Sequence, residues 1–432
     1  MAVPSAAGLL AEHKSETLLF CTLLQLAVII GAARLGAGLA QRLGQTAVIG
    51  EIVVGILLGP SLFGWVAPQA FTFLFRSAPP EPLQMLSDLA LVLMMFQIGL
   101  AFDFAHLAER TNRTTVLRVS TACLILPFSI GLALGYFAAP ALSPQADRVD
   151  SALFIATAFS ITALPVLGRI LHELQITRTR LGVIAISAAA VNDAIGWVLL
   201  ALVTALSVAG FYGARFGLSV LLLGAYVLLC TFVLRPLLKR FVHRFDFADG
   251  RLPGIVFAVV LVTVFLSAIV TYKLGIFAVF GAFLIGVILY DEPLLVRAWQ
   301  QRVGDFVTFF FMPIFFTYTG LRTAIGGLQS YELWGWCALT IVLATVGKFG
   351  GAYLAARGPL GPLPATILGF MVNTRGLMEL VVINVGLDLG VISQQMFTIL
   401  VLMALVSTIV TTPALRALLP RIGITLPEAR QA

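Results

Sequence analysis

Runs of about 20 predominantly apolar residues, the length a helix needs to span a bilayer, succeed one another along nearly the whole chain. They leave only short connections and no room for a sizeable soluble domain. With 60% of its 432 residues hydrophobic and 11% charged, and a mean hydropathy of +1.03, the chain has too little polar surface to clothe a soluble globule of this size. Lipid is the solvent it folds in, and an all-α polytopic membrane protein is the expected class.

The runs place thirteen transmembrane helices, near 17–39, 46–66, 83–102, 116–139, 151–175, 181–209, 217–238, 253–272, 276–290, 303–320, 333–356, 365–389 and 395–418. An odd number puts the termini on opposite sides. In a soluble protein a net charge of +7 would suggest nucleic acid, but here Lys and Arg are read first for topology. With the N-terminus outside, nineteen of the 27 basic residues fall on the inside, among them Arg110, Arg235, Lys239, Arg240, Arg244, Arg251, Arg416 and Arg430. Only Lys14, Arg76, Arg148, Arg215, Lys273 and Arg322 fall outside, so the expected orientation is N-out and C-in. Lys348 and Arg375 belong to neither group because both sit within helices. No nucleic-acid partner is implied. Cys21, Cys123, Cys230 and Cys337 are scattered without paired spacing and read as packing residues. MAVPSAAGLLAEHKSE has no compact basic region before the first apolar run, so that run is expected to be a retained helix, not a cleaved signal.

MMFQIGLAFDF around Gly99 resembles IFFTYTGLRTA around Gly320, and on this topology the two end on opposite sides. The expectation is two inverted repeats, helices 1–6 against 8–13, joined by helix 7. Helices 5 and 12 then correspond, and both are interrupted. The fifth carries Ser160, Thr162 and Pro165 mid-span, and a proline lacks an N–H and disfavours helix at its predecessor. The twelfth carries Asn373, Thr374, Arg375, Gly376 and Glu379 at membrane depth. Broken helices there expose backbone groups that lipid forbids unless they line a cavity or are buried in protein.

AISAAAVNDAIGWVLLALV, the sixth helix, sets Asp193 deep in an otherwise apolar segment, where an ionisable group costs several kcal/mol without a cavity or a partner. Small residues from Ser187 to Ala190 precede it and let a neighbouring backbone approach. A desolvated carboxylate can hold a proton or a partly dehydrated cation, but not both. That competition is an exchange mechanism. Lys348, among Gly347, Gly350 and Gly351, is as costly alone; support of the broken crossing is its expected role, with direct proton carriage as the alternative. Arg375 and Glu379, four apart, are expected to form a structural ion pair. Glu51 and Asp88 are expected to face a cavity or an interface with structural partners, and His13, His106, His172 and His243 fall at helix ends or connections. Nothing resembles a catalytic triad, a metal cluster or a phosphate-cradling loop, so the expectation is a transporter, not an enzyme, with no cofactor.

At these residues the chain resembles the monovalent cation:proton antiporter-2 family, and within it the plant-type cation/H+ exchanger-like branch. The resemblance is carried by GQTAVIGEIVVGILLGPSLFG at 44–64, FQIGLAFD at 96–103, SITALPVLGRILHELQI at 160–176, SAAAVNDAIGW at 187–197, FFTYTGLR at 315–322, GK at 347–348 and NTRGLMELVVINVG at 373–386. It implies a homodimeric, elevator-type antiporter of the bacterial inner membrane. The scaffold is then about 17–102 and 253–320, the moving core about 116–209 and 333–418, and the linker helix about 217–238. Carried over, Asp193 becomes the cation- and proton-binding carboxylate, Asn192 its partner in the ion-binding pair and Lys348 the core lysine, with Thr162 near the ion and Ser160 assisting. Some electrogenic members carry two aspartates where this chain has Asn192-Asp193; Asn takes up no proton as a carboxylate does, so one-for-one, electroneutral exchange is expected. Potassium-efflux members append a nucleotide-binding domain, whereas this chain stops at Ala432 soon after its last helix, so no soluble regulatory domain is expected. The plant-type resemblance favours K+ over Na+. A ligand-gated channel or sensor on the same scaffold, and an antiporter of an organic ion, are the readings left open.

Overall fold

The computed structural model describes residues 6–100, 113–209, 213–245, 253–274 and 278–424. Arg110, Arg251, Arg430, His106 and the end of the string at 96–103 lie outside the described residues. Among the described residues every regular element is helical. In the first half these are α1 (Ala6–Arg42), α2 (Ala47–Leu57), the short turns α3 (Phe63–Val66) and α4 (Pro68–Phe71), α5 (Glu81–Leu100), α6 (Arg113–Leu142), α7 (Arg148–Ser160), α8 (Leu164–Glu173) and α9 (Arg180–Ala209). A connector of α10 (Gly213–Leu229) and α11 (Arg235–Val242) follows. In the second half come α12 (Gly254–Lys273), α13 (Ala278–Leu289), α14 (Pro293–Trp299), α15 (Met312–Leu321), α16 (Tyr331–Leu360), α17 (Pro362–Val372), α18 (Leu377–Asp388) and α19 (Gln394–Leu418).

Eight of the described helices are long and apolar enough to cross a membrane, and a ninth span forms if Pro293–Gly304 and Val307–Gly327, bent by 42° against each other, count as one. The other crossings expected from the sequence fall on helices too short to qualify. The second, expected over 46–66, stops at Leu57, short of Pro60; a proline disfavours helix in the residue before it. The fifth and twelfth divide into α7 with α8 and α17 with α18.

Caps fix several helix starts. The Asp147 carboxylate accepts from the N–H groups of Val149 and Asp150 at 2.8 and 3.2 Å, and the hydroxyls of Ser330 and Ser393 accept from Leu333 and Met396 N–H. The connector is tied down by charge. Asp291 receives Arg235 Nη2 and Lys239 Nζ, each at 2.6 Å, while Lys239 and His243 also reach Glu292. Partial burial alone would raise the Asp291 carboxyl, but these two cations outweigh it and hold the group below the usual carboxylate range.

Lipid offers helices no hydrophobic reason to associate, so close backbone packing at small residues does that work. α2 lies on α1 and α15, and α13 lies on α5 and α12. Gly55 of α2 faces Gly320 of α15, and Gly286 of α13 faces Gly99 of α5. A Cβ at Gly55 would come within 2.6 Å of the Phe316 carbonyl oxygen, backbone that cannot swing away. Gly55→Leu is therefore expected to lower the melting temperature of the detergent-solubilised protein by the equivalent of about 1–3 kcal/mol or more. Gly350→Ala, where a Cβ meets nothing within 4 Å, should leave it unchanged or slightly raised.

Candidate functional site

Two helices break where they cross. α7 ends at Ser160, the chain runs extended through Ile161, and α8 resumes at Leu164 with Pro165 in its first turn. α17 ends at Val372 and α18 resumes at Leu377. Gly376 precedes it with φ 153°, a backbone conformation that other residues rarely adopt, and Val166 stands 3.0 Å from where a Cβ would be. The Ala163 N–H donates to the Thr374 carbonyl at 3.2 Å, joining the two breaks.

Each break leaves carbonyls at one half-helix end and N–H groups at the next, and the half-helix dipoles aim partial charge at the same region. The last three carbonyls of α7 are taken by two buried cations. Arg375 donates through Nη1 to Ala158 O and through Nη2 to Phe159 O, both at 3.2 Å, and through Nη2 to Ala344 O at 3.3 Å. Lys348 Nζ donates to the Ser160 carbonyl and, at 3.1 Å, to that of Cys123 on α6. Both cations are fully buried. At the N-terminal end of α8, where N–H groups point outward, Asp193 Oδ2 accepts from the Leu164 N–H at 3.3 Å, with the Thr162 backbone beside the carboxylate. An anion at the N-terminal end and cations at the C-terminal end is the arrangement the dipoles favour. Lys348 is near enough to act on Asp193 electrostatically.

The pieces expected from the sequence therefore divide. Asp193, the Thr162 backbone, the Ser160 carbonyl and Lys348 meet at the first break. The Ser160 hydroxyl is occupied elsewhere, donating to Ala156 O at 2.8 Å. Arg375 and Glu379 pair at 2.8 Å although Arg375 precedes α18, because the guanidinium folds back toward the first turn that carries Glu379. Asn192 is buried, and neither of its side-chain polar atoms has a hydrogen-bond partner. Asp193 Oδ1, Thr162 Oγ1 and Asn373 Oδ1 are likewise buried without partners. Burying oxygen atoms in this state costs free energy unless something binds them, and hard oxygen donors are what an alkali cation or a proton takes. Glu51 meets Arg34 at 3.8 Å, and Asp88 lines a separate cavity.

Sequence reasoning missed the Cys123 carbonyl and the Thr374 carbonyl, because a backbone acceptor has no side-chain signature. It also missed Thr408, whose hydroxyl accepts from the Arg375 N–H at 3.1 Å and donates to the Arg375 carbonyl at 2.6 Å, fixing the second break. One Thr among the three in TIVTTPAL carries no mark of that duty.

Comparison with known proteins gives a consistent answer. The family model described as "Sodium/hydrogen exchanger, transmembrane" matches residues 27–420. The "Na(+)/H(+) antiporter NhaS4" of Synechocystis sp. is 36% identical over 93% of this chain and 98% of its own length. "Cation/H(+) antiporter 17" of Arabidopsis thaliana is 38% identical over 94% of this chain, and the "K(+)/H(+) antiporter 1" of Saccharomyces cerevisiae 33% identical over 87%. The chain spans 49% and 44% of those two proteins. Among solved structures, the sodium proton antiporter MjNhaP1 of Methanocaldococcus jannaschii at pH 8 superposes with a TM-score of 0.62 over 94% of this chain and 98% of its own, at 14% identity, a likeness of fold.

Proposed function

The chain belongs to the transmembrane sodium/hydrogen exchanger family, and from that premise we propose that it is a secondary antiporter exchanging a monovalent cation, K+ in preference to Na+, for H+ at Asp193. The observation that carries the proposal is one carboxylate, buried at the N-terminal end of a half-helix, with one oxygen bonded and the other free. The bonded oxygen holds the group in place. The free one takes the cargo, and desolvation makes a bare charge there costly, so either a proton or a cation occupies it. Arrival of one ejects the other, which couples the two flows. Thr162, Asn192 and Ser160 complete the ion site in this proposal. Lys348, Arg375 and Glu379 hold the broken ends of α7 and α18 so that the site keeps its shape.

The wider reading is a homodimer in the bacterial inner membrane with thirteen crossings, N-out and C-in. The scaffold is about 17–102 and 253–320, the core about 116–209 and 333–418, and they move against each other as an elevator. Glycine packing supports the inverted repeat on which this rests. Gly50 and Gly55 in GEIVVGILL have the spacing of Gly281 and Gly286 in GAFLIGVIL. The two pairs act alike: Gly50 lies on α1 within the first half as Gly281 lies on α12 within the second, and Gly55 crosses to Gly320 of the second half as Gly286 crosses to Gly99 of the first.

Native protein in proteoliposomes under an imposed pH gradient tests the exchange. K+ should dissipate the gradient fastest, Na+ and Li+ less, and clamping the membrane potential should leave the rate unchanged if one cation moves per proton. A native protein silent toward K+, Na+, Li+ and Rb+ alike would end the inorganic-antiporter reading, and a rate driven by voltage would end electroneutrality.

A further inference from the structure

Away from the crossing, a cavity of about 550 Å³ lies between α5, α13 and α15 on one side and α9 and α18 on the other. Its lining is mostly apolar, with Asp88, Arg322, Asn384 and Asp388 among the polar groups. Arg322 caps the end of α15, and its guanidinium lies over Tyr318 of that helix, 5.5 Å from the ring centre, while its hydrogen bonds run to the other helix group. Nη2 meets Asp388 Oδ1 at 2.5 Å, Nη1 donates to Asn384 Oδ1 at 3.1 Å, and the guanidinium lies 5.8 Å from the centre of the Phe397 ring. The Gln394 amide donates to the Arg322 carbonyl. These four partners belong to α18 and α19.

The backbone beside Arg322 is held from the other side. Ser61, in the turn after α2, donates to the Thr323 carbonyl at 2.7 Å and accepts from the Ile325 N–H at 3.1 Å. The segment just after Arg322 is thus fastened to the turn that follows α2, while the Arg322 side chain is fastened to α18. α18 is the half-helix that begins at the crossing, so the latched contact and the broken segment are two ends of one rigid rod of about 18 Å. Asn384, midway, also donates to Thr319 Oγ1 on α15 at 2.9 Å.

We propose that Arg322 is a latch between the two helix groups, and that its release from Asp388 and Asn384 is the step that parts α18 from α15 during the transport cycle. The proposal rests on the antiport reading above. Asp88, on α5 and in the wall of the same cavity, is close enough to act electrostatically with both Arg322 and Asp388. It gives the freed guanidinium a second carboxylate on its own side, so the charge need never stand bare in an apolar cavity. Exchange of Asp388 for Asp88 makes the latch a two-position device, not a fixed tie.

The test reads access to the cavity. Cys21 is replaced by Ser, since Cys123, Cys230 and Cys337 are buried, and Ser87 in the cavity wall becomes Cys. A membrane-impermeant maleimide is then applied to the Arg322 side of proteoliposomes. Arg322→Gln, and independently Asp388→Asn, should speed labelling of Ser87→Cys about tenfold, as loss of one partly buried charge-assisted contact shifts a two-state equilibrium. The double swap Arg322→Asp/Asp388→Arg should slow it again. Equal rates in all four proteins overturn the latch, as does a double swap that labels as fast as Arg322→Gln. Cation-driven proton movement is followed in the same vesicles: exchange with unchanged labelling removes only the latch, whereas a native protein without exchange removes the antiport reading itself.

Discussion

Asp193→Asn should bring cation-driven proton movement in proteoliposomes down to that of protein-free vesicles while leaving the folded protein intact. Asparagine has the same shape, and its side-chain oxygen can still accept from the Leu164 N–H, so the contact that positions the residue survives. What it loses is the ability to take a proton and the charge that offsets a cation's lost hydration. Both halves of the exchange need that single property, so the effect is complete and not graded. Stability should move the other way. The native carboxylate is buried and half of it lacks a partner, and a neutral amide removes the cost of desolvating charge. A melting temperature equal to or above that of the native protein, together with lost exchange, separates a transport defect from a folding defect. Exchange surviving above the protein-free background would remove Asp193 from the cycle and shift attention to Lys348 as the proton carrier.

What the sequence made legible follows from what lipid forbids. Membrane depth makes any charge or helix break expensive, so Asp193, Lys348, Arg375 and the interruptions at Pro165 and Gly376 stand out from a background of Leu, Val and Ala. Each of them lies at the crossing in the folded chain. Residues near helix ends give no such signal. Arg322 and Asp388 look like ordinary terminal polar groups in TGLRT and INVGLDL, Asn384 looks like a single amide in an apolar run, and only the fold shows that they meet. Helix length was hidden for the same kind of reason. An apolar run does not show where a π-turn or a proline ends regular winding, so α2 and the stretch before α15 came out shorter or more bent than the runs that encode them.

The division of labour at the second break leads to the other large effect. Arg375 is fully buried and makes contacts with three carbonyls and the Glu379 carboxylate. Arg375→Met fills similar volume but strands a buried carboxylate and the final carbonyls of α7, and breaking a buried pair from one side costs about 3–5 kcal/mol. For a protein of ordinary stability that is enough to reduce the recovery of monodisperse material in size-exclusion chromatography after solubilisation and to lower the melting temperature of what is recovered. Removing the carboxylate as well should restore part of the loss. Arg375→Met/Glu379→Met is expected to run as folded protein with a melting temperature between those of the single variant and the native chain, because the stranded charge is gone but the α7 carbonyls remain unpaired. Glu379→Gln, which keeps an acceptor for Nη1, should cost least of the three. If Arg375→Met alone were as stable as the double variant, the pair would contribute nothing that depends on both partners, and the guanidinium would matter only as a donor to the end of α7. The ordering of the three melting temperatures therefore assigns Arg375 either to the ion pair or to the half-helix cap.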